Sequence, residues 1–171
     1  MEPGLPGQRV CPGPKRGPAT GPNPTDRGKP ETKRHLVADA RGTPLDSCLS
    51  GANRHDSAMM AEALDAIPPL RNGRRGRPRR RSDKLHADQA YDAGPRRREC
   101  RARGIVPRIA RCGIDSSEKL GRHRWVVERT HAWFNRFRRL SIRYERRADI
   151  SKAFTSLAAS LITLNQIKRF C

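Results

Sequence analysis

The chain has 171 residues, room for one domain of ordinary size, and its 35% apolar content supplies a modest core. Thirty-seven Lys and Arg against seventeen Asp and Glu leave a formal charge of +20, which opposes compaction unless a polyanion neutralises it. That balance selects nucleic acid as the partner class, and charge alone does not separate an enzyme from a ribosomal or packaging protein.

Residues 1–30 hold fourteen Gly and Pro, half of the twenty-eight in the chain, with apolar residues too scattered to form a face. A disordered Gly/Pro-rich tail is expected there. From Lys33 the texture changes. His35 to Ala38 reads as a short strand, Asp39 to Gly42 as a turn and Thr43 to Leu49 as a return strand, together a β-hairpin. Met60, Ala63, Leu64 and Ile67 recur at helical spacing, with Asp56 or Ser57 as the expected N-cap and Pro68-Pro69 as the stop.

Residues 71–84 carry eight basic side chains among fourteen, and Gly73, Gly76 and Pro78 break any regular element, so a charged loop is expected. Lys84 to Asp88 reads as a compact strand. Gly94-Pro95 opens a helix that Gly104 closes, and Ile105 to Ile109 resumes a strand, which makes a β-α-β crossover with parallel strands. A long helix from about Gly121 to Leu140 follows, with Val126, Trp133, Phe137 and Leu140 on a buried stripe. A last helix from about Asp149 to Ile167 puts Ile150, Phe154, Leu157, Leu161 and Leu164 on one stripe. The expected class is α/β, a mixed sheet covered by helices.

Five cysteines, Cys11, Cys48, Cys100, Cys112 and Cys171, form no CxxC pair and have no His at zinc-finger spacing, so they read as reduced, unligated thiols. No basic start leads into an apolar run, and Thr155, Ser156, Ser160 and Thr163 interrupt the last helix. A cytoplasmic protein without a membrane span is expected.

Asp88 falls at the carboxyl end of its strand, where open α/β sheets place ligand sites and a carboxylate suits a metal ion. The plain alternative is a turn-initiating Asp, at about even odds on pattern alone. On the long helix Arg124, Glu128, His131 and Asn135 fall on one face at offsets of four, three and four, and a carboxylate set among cations stays ionised and can hold Mg²⁺. Its plain alternative is a surface ion pair between Arg124 and Glu128. Asp39 reads as a hairpin-turn residue, Asp56 as a helix cap, and Asp92 as the residue before the Gly94-Pro95 turn. The arginines of the basic loop, Arg77, Arg79, Arg80 and Arg81, are candidate contacts to a DNA backbone, against the alternative of a merely solvated loop.

The segments Gly21 to Lys29, Lys33 to Val37, Gly51 to Ser57, Lys84 to Asp88 with Tyr91-Asp92, and Arg122 to Arg147 resemble the insertion-sequence DDE transposases of the group numbered five, which have a ribonuclease-H-like catalytic domain. The likeness runs from Gly21 to Arg169. It implies that Asp88 is the second acid of a triad and Glu128 the third, with Arg124 the helix arginine before it. It further implies that the acids hold two Mg²⁺ ions, and that the protein cuts and joins DNA at the ends of a mobile element and in target DNA. It also leaves room for a homo-oligomer. Gly121 and Asn135 stand where a Tyr and a Lys are expected on that helix, and Arg136 is the candidate to replace the Lys toward a phosphate.

The first acid belongs on a strand shortly before the counterpart of Lys15-Arg16-Gly17, yet no Asp or Glu occurs from Pro3 to Thr25. The expectation is an incomplete ribonuclease-H-like domain over residues 31–171, lacking its central strand: a truncated, catalytically defective copy. The competing functions are an active transposase, a non-catalytic DNA-binding remnant, and a basic RNA-binding protein. The last ranks lowest because the few aromatics sit on helix stripes.

Overall fold

The structure is a computed structural model that describes residues 7–13, 17–71, 75–79, 81–111 and 117–170. Among them, six strands and five helices follow in the order β1 (Gly7–Pro12), β2 (Gly21–Pro22), β3 (Pro30–Ala38), β4 (Pro44–Gly51), α1 (Met60–Asp65), β5 (Lys84–Ala87), α2 (Gly94–Ala102), β6 (Val106–Ile109), α3 (Ser117–Asn135), α4 (Arg138–Ser141) and α5 (Ala148–Phe170). The class is mixed α/β, as the sequence implies.

The hairpin forms with β3 against β4, in register from Thr32 opposite Gly51 to Val37 opposite Asp46. Its turn is fixed by Asp39, whose carboxylate accepts from the amides of Arg41 and Thr43 at 2.9 and 2.8 Å. The expected crossover is also present: β5 and β6 pair in parallel, Lys84 beside Val106 through Ala87 beside Ile109, with α2 between them. Gly104 at φ +70° makes the turn out of α2.

The disorder expected over residues 1–30 does not hold for the described part of that segment. Residues Gly7 to Pro12 form a strand antiparallel to β3, with Cys11 opposite Thr32, and β2 pairs with Pro30 and Glu31. The pairing is supplied by the neighbour: a lone Gly/Pro-rich segment cannot hold a strand, but an edge position on a formed hairpin asks only for backbone donors and acceptors. Asn23 ties the intervening loop, its amide donating to the Glu31 carboxylate at 2.5 Å while its own oxygen accepts from the Thr25 amide. A strand is therefore formed in a stretch whose sequence carries no strand pattern, and it pairs with β3 and not with β5. Among the described residues the single mixed sheet is replaced by a four-stranded antiparallel sheet and a two-stranded parallel one.

Two apolar clusters join these layers. One packs Val37, Cys48, Met59, Met60 and Leu64 against Leu85, Ala87, Tyr91, Ile109 and Val127, so it unites the hairpin, α1, the crossover and α3. The other gathers Leu36, Phe134, Leu140, Ala158 and Ile162, fastening α3 and α5 to the sheet.

Three further expectations are corrected. The long helix stops at Asn135 and resumes as α4, because Phe137 is extended at ψ 103°. The 3-10 turn Asp56–Met59 before α1 is capped by His55, which accepts from the Ser57 amide, while Asp56 turns inward to Lys33 at 3.1 Å. On α5 the face against the core is Ser151, Thr155, Ala158 and Ile162, and Phe154 is partly buried. Ile150, Leu157 and Leu161 face outward, and the half-exposed Leu164 lines an open cavity with Leu36, Leu45 and Phe134.

Candidate active site

Asp88 sits one residue beyond β5, as expected for the mouth of a crossover. It is half-buried, and its Oδ1 accepts from the Ala90 amide at 3.0 Å, capping the 3-10 turn Gln89–Tyr91. The turn-initiating role and the position at the end of the strand thus coexist, since a carboxylate has a second oxygen. Tyr91 lies buried just behind it. Burial pushes the phenol's pKa up, and the negative charges of Asp56 and Asp88 push it further. Asp92 does not face outward alone: Arg97 grips it at 2.7 Å and also donates to the Ile109 carbonyl at 3.0 Å, locking the loop after β5 onto β6.

Glu128 is exposed on α3. Its neighbour Val127 packs in the same apolar cluster as Ala87 and Tyr91, which flank Asp88, so one core supports both acid-bearing segments. Arg124 lies one turn earlier in α3, and its side chain lies outside the described residues, as does the whole of Arg80. His131, read on the polar face with Glu128, is instead buried, because α3 is covered on two sides: Val126, Val127, Thr130, His131 and Phe134 are all inside.

Within the basic loop, Leu70 and Arg79 exchange both backbone hydrogen bonds at 2.8 Å, which closes the loop at its base. Arg79 is ion-paired with Asp83, and the guanidinium holds the Asp83 carboxyl below its ordinary range. Arg77 is exposed, and Arg81 reaches toward the Arg103 carbonyl at 3.4 Å. Arg136 is exposed just past the end of α3.

A two-ion centre needs enough carboxylates to bridge and flank two hard cations. Among the described residues no three His, Cys, Asp or Glu stand close enough to share an ion. Strand β1, Gly-Gln-Arg-Val-Cys-Pro, brings no acid to the sheet. Among the described residues, the donors do not fit a pair of Mg²⁺ ions.

Several buried or half-buried polar groups had no legible signal in sequence. His35 donates to or accepts from the Ser50 hydroxyl at 2.7 Å, and desolvation lowers its pKa to about 4, with Lys33 and Arg54 acting the same way and Asp56 opposing them. Arg34 donates to the Leu140 carbonyl at 2.8 Å and lies over the Phe134 ring. Arg129 lies between Trp125 and Trp133, 4.1 and 4.9 Å from the two ring centroids, and donates to the Arg41 carbonyl at 2.7 Å. The hydrogen-bonded partners are remote in sequence, and only the fold brings them together.

The arrangement is a strand-end acid and a helix acid on one α/β core. Residues 8–163 match the family model described as the transposase DDE domain, and the chain belongs to that family of insertion-sequence transposases. It is similar to a putative transposase for insertion sequence element IS402 from Burkholderia cepacia, 52% identical over 152 residues, which cover 89% of this chain and 72% of that protein. No solved structure matches. No helix among the described residues is long and apolar enough to cross a membrane.

Proposed function

We propose that this chain binds DNA as an insertion-sequence transposase domain of ribonuclease-H-like type but does not cleave it. The observation that carries the reading is β1: a strand formed and paired where the first acid of the triad belongs, with no carboxylate on it. Asp88 and Glu128 are then the second and third acids, Arg124 accompanies Glu128, and two carboxylates hold too little fixed negative charge for a pair of divalent ions. The charge of +20 supports DNA as the partner, at the ends of a mobile element and in target DNA, with Arg77, Arg81 and Arg136 as the backbone contacts. In this reading the protein works among the DNA of a bacterial cytoplasm.

The test is a strand-cleavage assay with purified protein, Mg²⁺ or Mn²⁺, and DNA carrying the element's ends. Retardation of the DNA without cleavage is the expected result. Turnover that Asp88→Ala abolishes would overturn the reading.

A further inference from the structure

The connection between α4 and α5 holds an aromatic ring outside the core. Ile142 and Tyr144 are 42% and 60% exposed, while Arg143 between them is buried. The cause is local: Ile142 is extended, so successive side chains alternate in direction, and the inward one secures the chain that carries it. The Arg143 guanidinium donates to the carbonyls of Glu145 and Arg146 at 3.0 and 3.1 Å, and its amide donates to the Pro12 carbonyl at 2.8 Å. Tyr144 therefore stands on a segment held in one shape. Its ring is also backed. Arg139 of α4 lies over it, 5.3 Å from the centroid and the same distance from that of Phe154, and the nearly buried Glu145 carboxylate holds Arg139 there at 2.7 Å. No acid occurs from Arg136 to Tyr144, and Glu145 is turned toward Arg139, whereas Arg136, Arg138 and Arg146 are exposed.

We propose that Tyr144 is a stacking platform for an unpaired DNA base, with Arg138 and Arg146 following the phosphates around it. The proposal rests on the reading that this chain binds DNA, and it adds which form of DNA this surface takes. A duplex keeps its base faces inside the stack, so a protein ring meets one only where a strand is single or a base is displaced. A tyrosine with a cation on one side and water on the other offers such a face. Because Arg143 already holds the connection, little ordering is left to be done on binding. Ile142, outward like Tyr144, gives a neighbouring base an apolar surface. The charge around the ring selects a polyanion over an apolar partner, since an exposed ring set among arginines would leave those cations unmatched against a protein core.

The test is fluorescence anisotropy of the wild type, Tyr144→Ala and Tyr144→Phe on a DNA duplex, a single DNA strand and an RNA strand of the same sequence. Tyr144→Ala should weaken binding of the single DNA strand about tenfold and leave the duplex unchanged. Tyr144→Phe keeps the ring and should match the wild type. The slope of log affinity against log salt should be the same for all three chains, because no phosphate contact is removed. With 2-aminopurine placed in turn along the single strand, quenching on binding should occur with the wild type and Tyr144→Phe and be lost in Tyr144→Ala. Equal losses on duplex and single strand, no loss on either, or a loss that Tyr144→Phe shares would each overturn the proposal. Tighter binding of the RNA strand with the same dependence on Tyr144 would overturn the assignment to DNA. A wild type that binds no DNA would overturn the underlying reading together with the proposal, whereas duplex binding with no effect of Tyr144 on the single strand overturns the proposal alone.

Discussion

The guanidinium of Arg143 donates to the Thr32 hydroxyl at 2.9 Å across 111 residues of sequence, and the same group ties together three segments of the chain. It also donates to the carbonyls of Pro18, Ala19, Glu145 and Arg146, between 2.9 and 3.2 Å, while its own amide donates to the Pro12 carbonyl at 2.8 Å. Strand β1 and the loop after it are held from behind by this buried cation. Arg143→Ala removes the bonds to the buried Thr32 hydroxyl and to four carbonyls, a loss on the order of 3 kcal/mol, because a charged donor bonded to several part-buried acceptors is only partly replaced by water. The urea midpoint should fall accordingly. A change below about 1 kcal/mol would mean that the front of the chain is secured elsewhere.

His35 makes stability depend on pH above the range where carboxylates titrate. Its pKa in the fold is about 4, against 6.5 for an ordinary imidazole, so the unfolded chain takes up the proton first. The neutral ring's contribution is complete above pH 6.5 and drains away as pH falls toward about 4, at most about 3 kcal/mol over that window. Asp65, Asp83 and Asp149 are held below the usual carboxylate range by arginine partners, so their losses begin at lower pH. Denaturation midpoints at pH 7.5 and 4.5, our chosen bracket of roughly that window, should differ in the wild type and converge in His35→Gln. An equal difference in both proteins would assign it to other groups.

Gly42 closes the hairpin at φ +83°, and a Cβ there would meet the Thr130 hydroxyl at 2.8 Å. That hydroxyl donates to the Gly42 carbonyl at 2.9 Å, so the turn and α3 are docked through it. Gly42→Ala combines a disfavoured backbone region with a steric contact and should cost about 1–3 kcal/mol. Thr130→Ser keeps the hydroxyl and should cost less than Thr130→Val, which loses it. Thermal melts of the three variants check the order.

If DNA lies along the basic loop, the arginines in it should not contribute equally. Arg79 is already partnered by Asp83, whereas Arg77 is exposed and Arg81 makes only a long hydrogen bond to a carbonyl. Taking away one arginine that neutralises a phosphate lowers the slope of log affinity against log salt by about 0.9. Removing Arg77 and Arg81 should therefore flatten the slope by nearly two, and Arg79→Ser by less than either. Filter binding at several salt concentrations measures it, and an unchanged slope would exclude the loop from the interface.

Local pattern announced those elements whose cause is local. The hairpin was readable because Asp39-Ala-Arg-Gly42 supplies an acceptor and, at its last position, a left-handed glycine. The crossover was readable because Gly94-Pro95 and Gly104 punctuate it. The place of Asp88, one residue past a short strand with Leu85 and Ala87 inward, was legible for the same reason. The strand at Gly7–Pro12 was not, because its stability comes from β3 and Arg143, neither of which its own Gly/Pro-rich composition reveals.

By itself the sequence determined the α/β class, the family, the absence of any Asp or Glu from Pro3 to Thr25 and the net charge of +20, since these depend on which residues are present and at what spacing. Tertiary structure alone decided which face each residue shows. Thr155 and Ala158 are packed inward on α5 while Leu157 and Leu161 point out, and Asp56 meets Lys33 instead of capping a helix. Periodicity reports that a helix has an apolar stripe, but two stripes on one helix compete for the core. The sheet and Phe134 take the stripe with the smaller residues, Ala158 and Ile162 packing with Leu36 and Phe134, and Leu157 and Leu161 are left exposed.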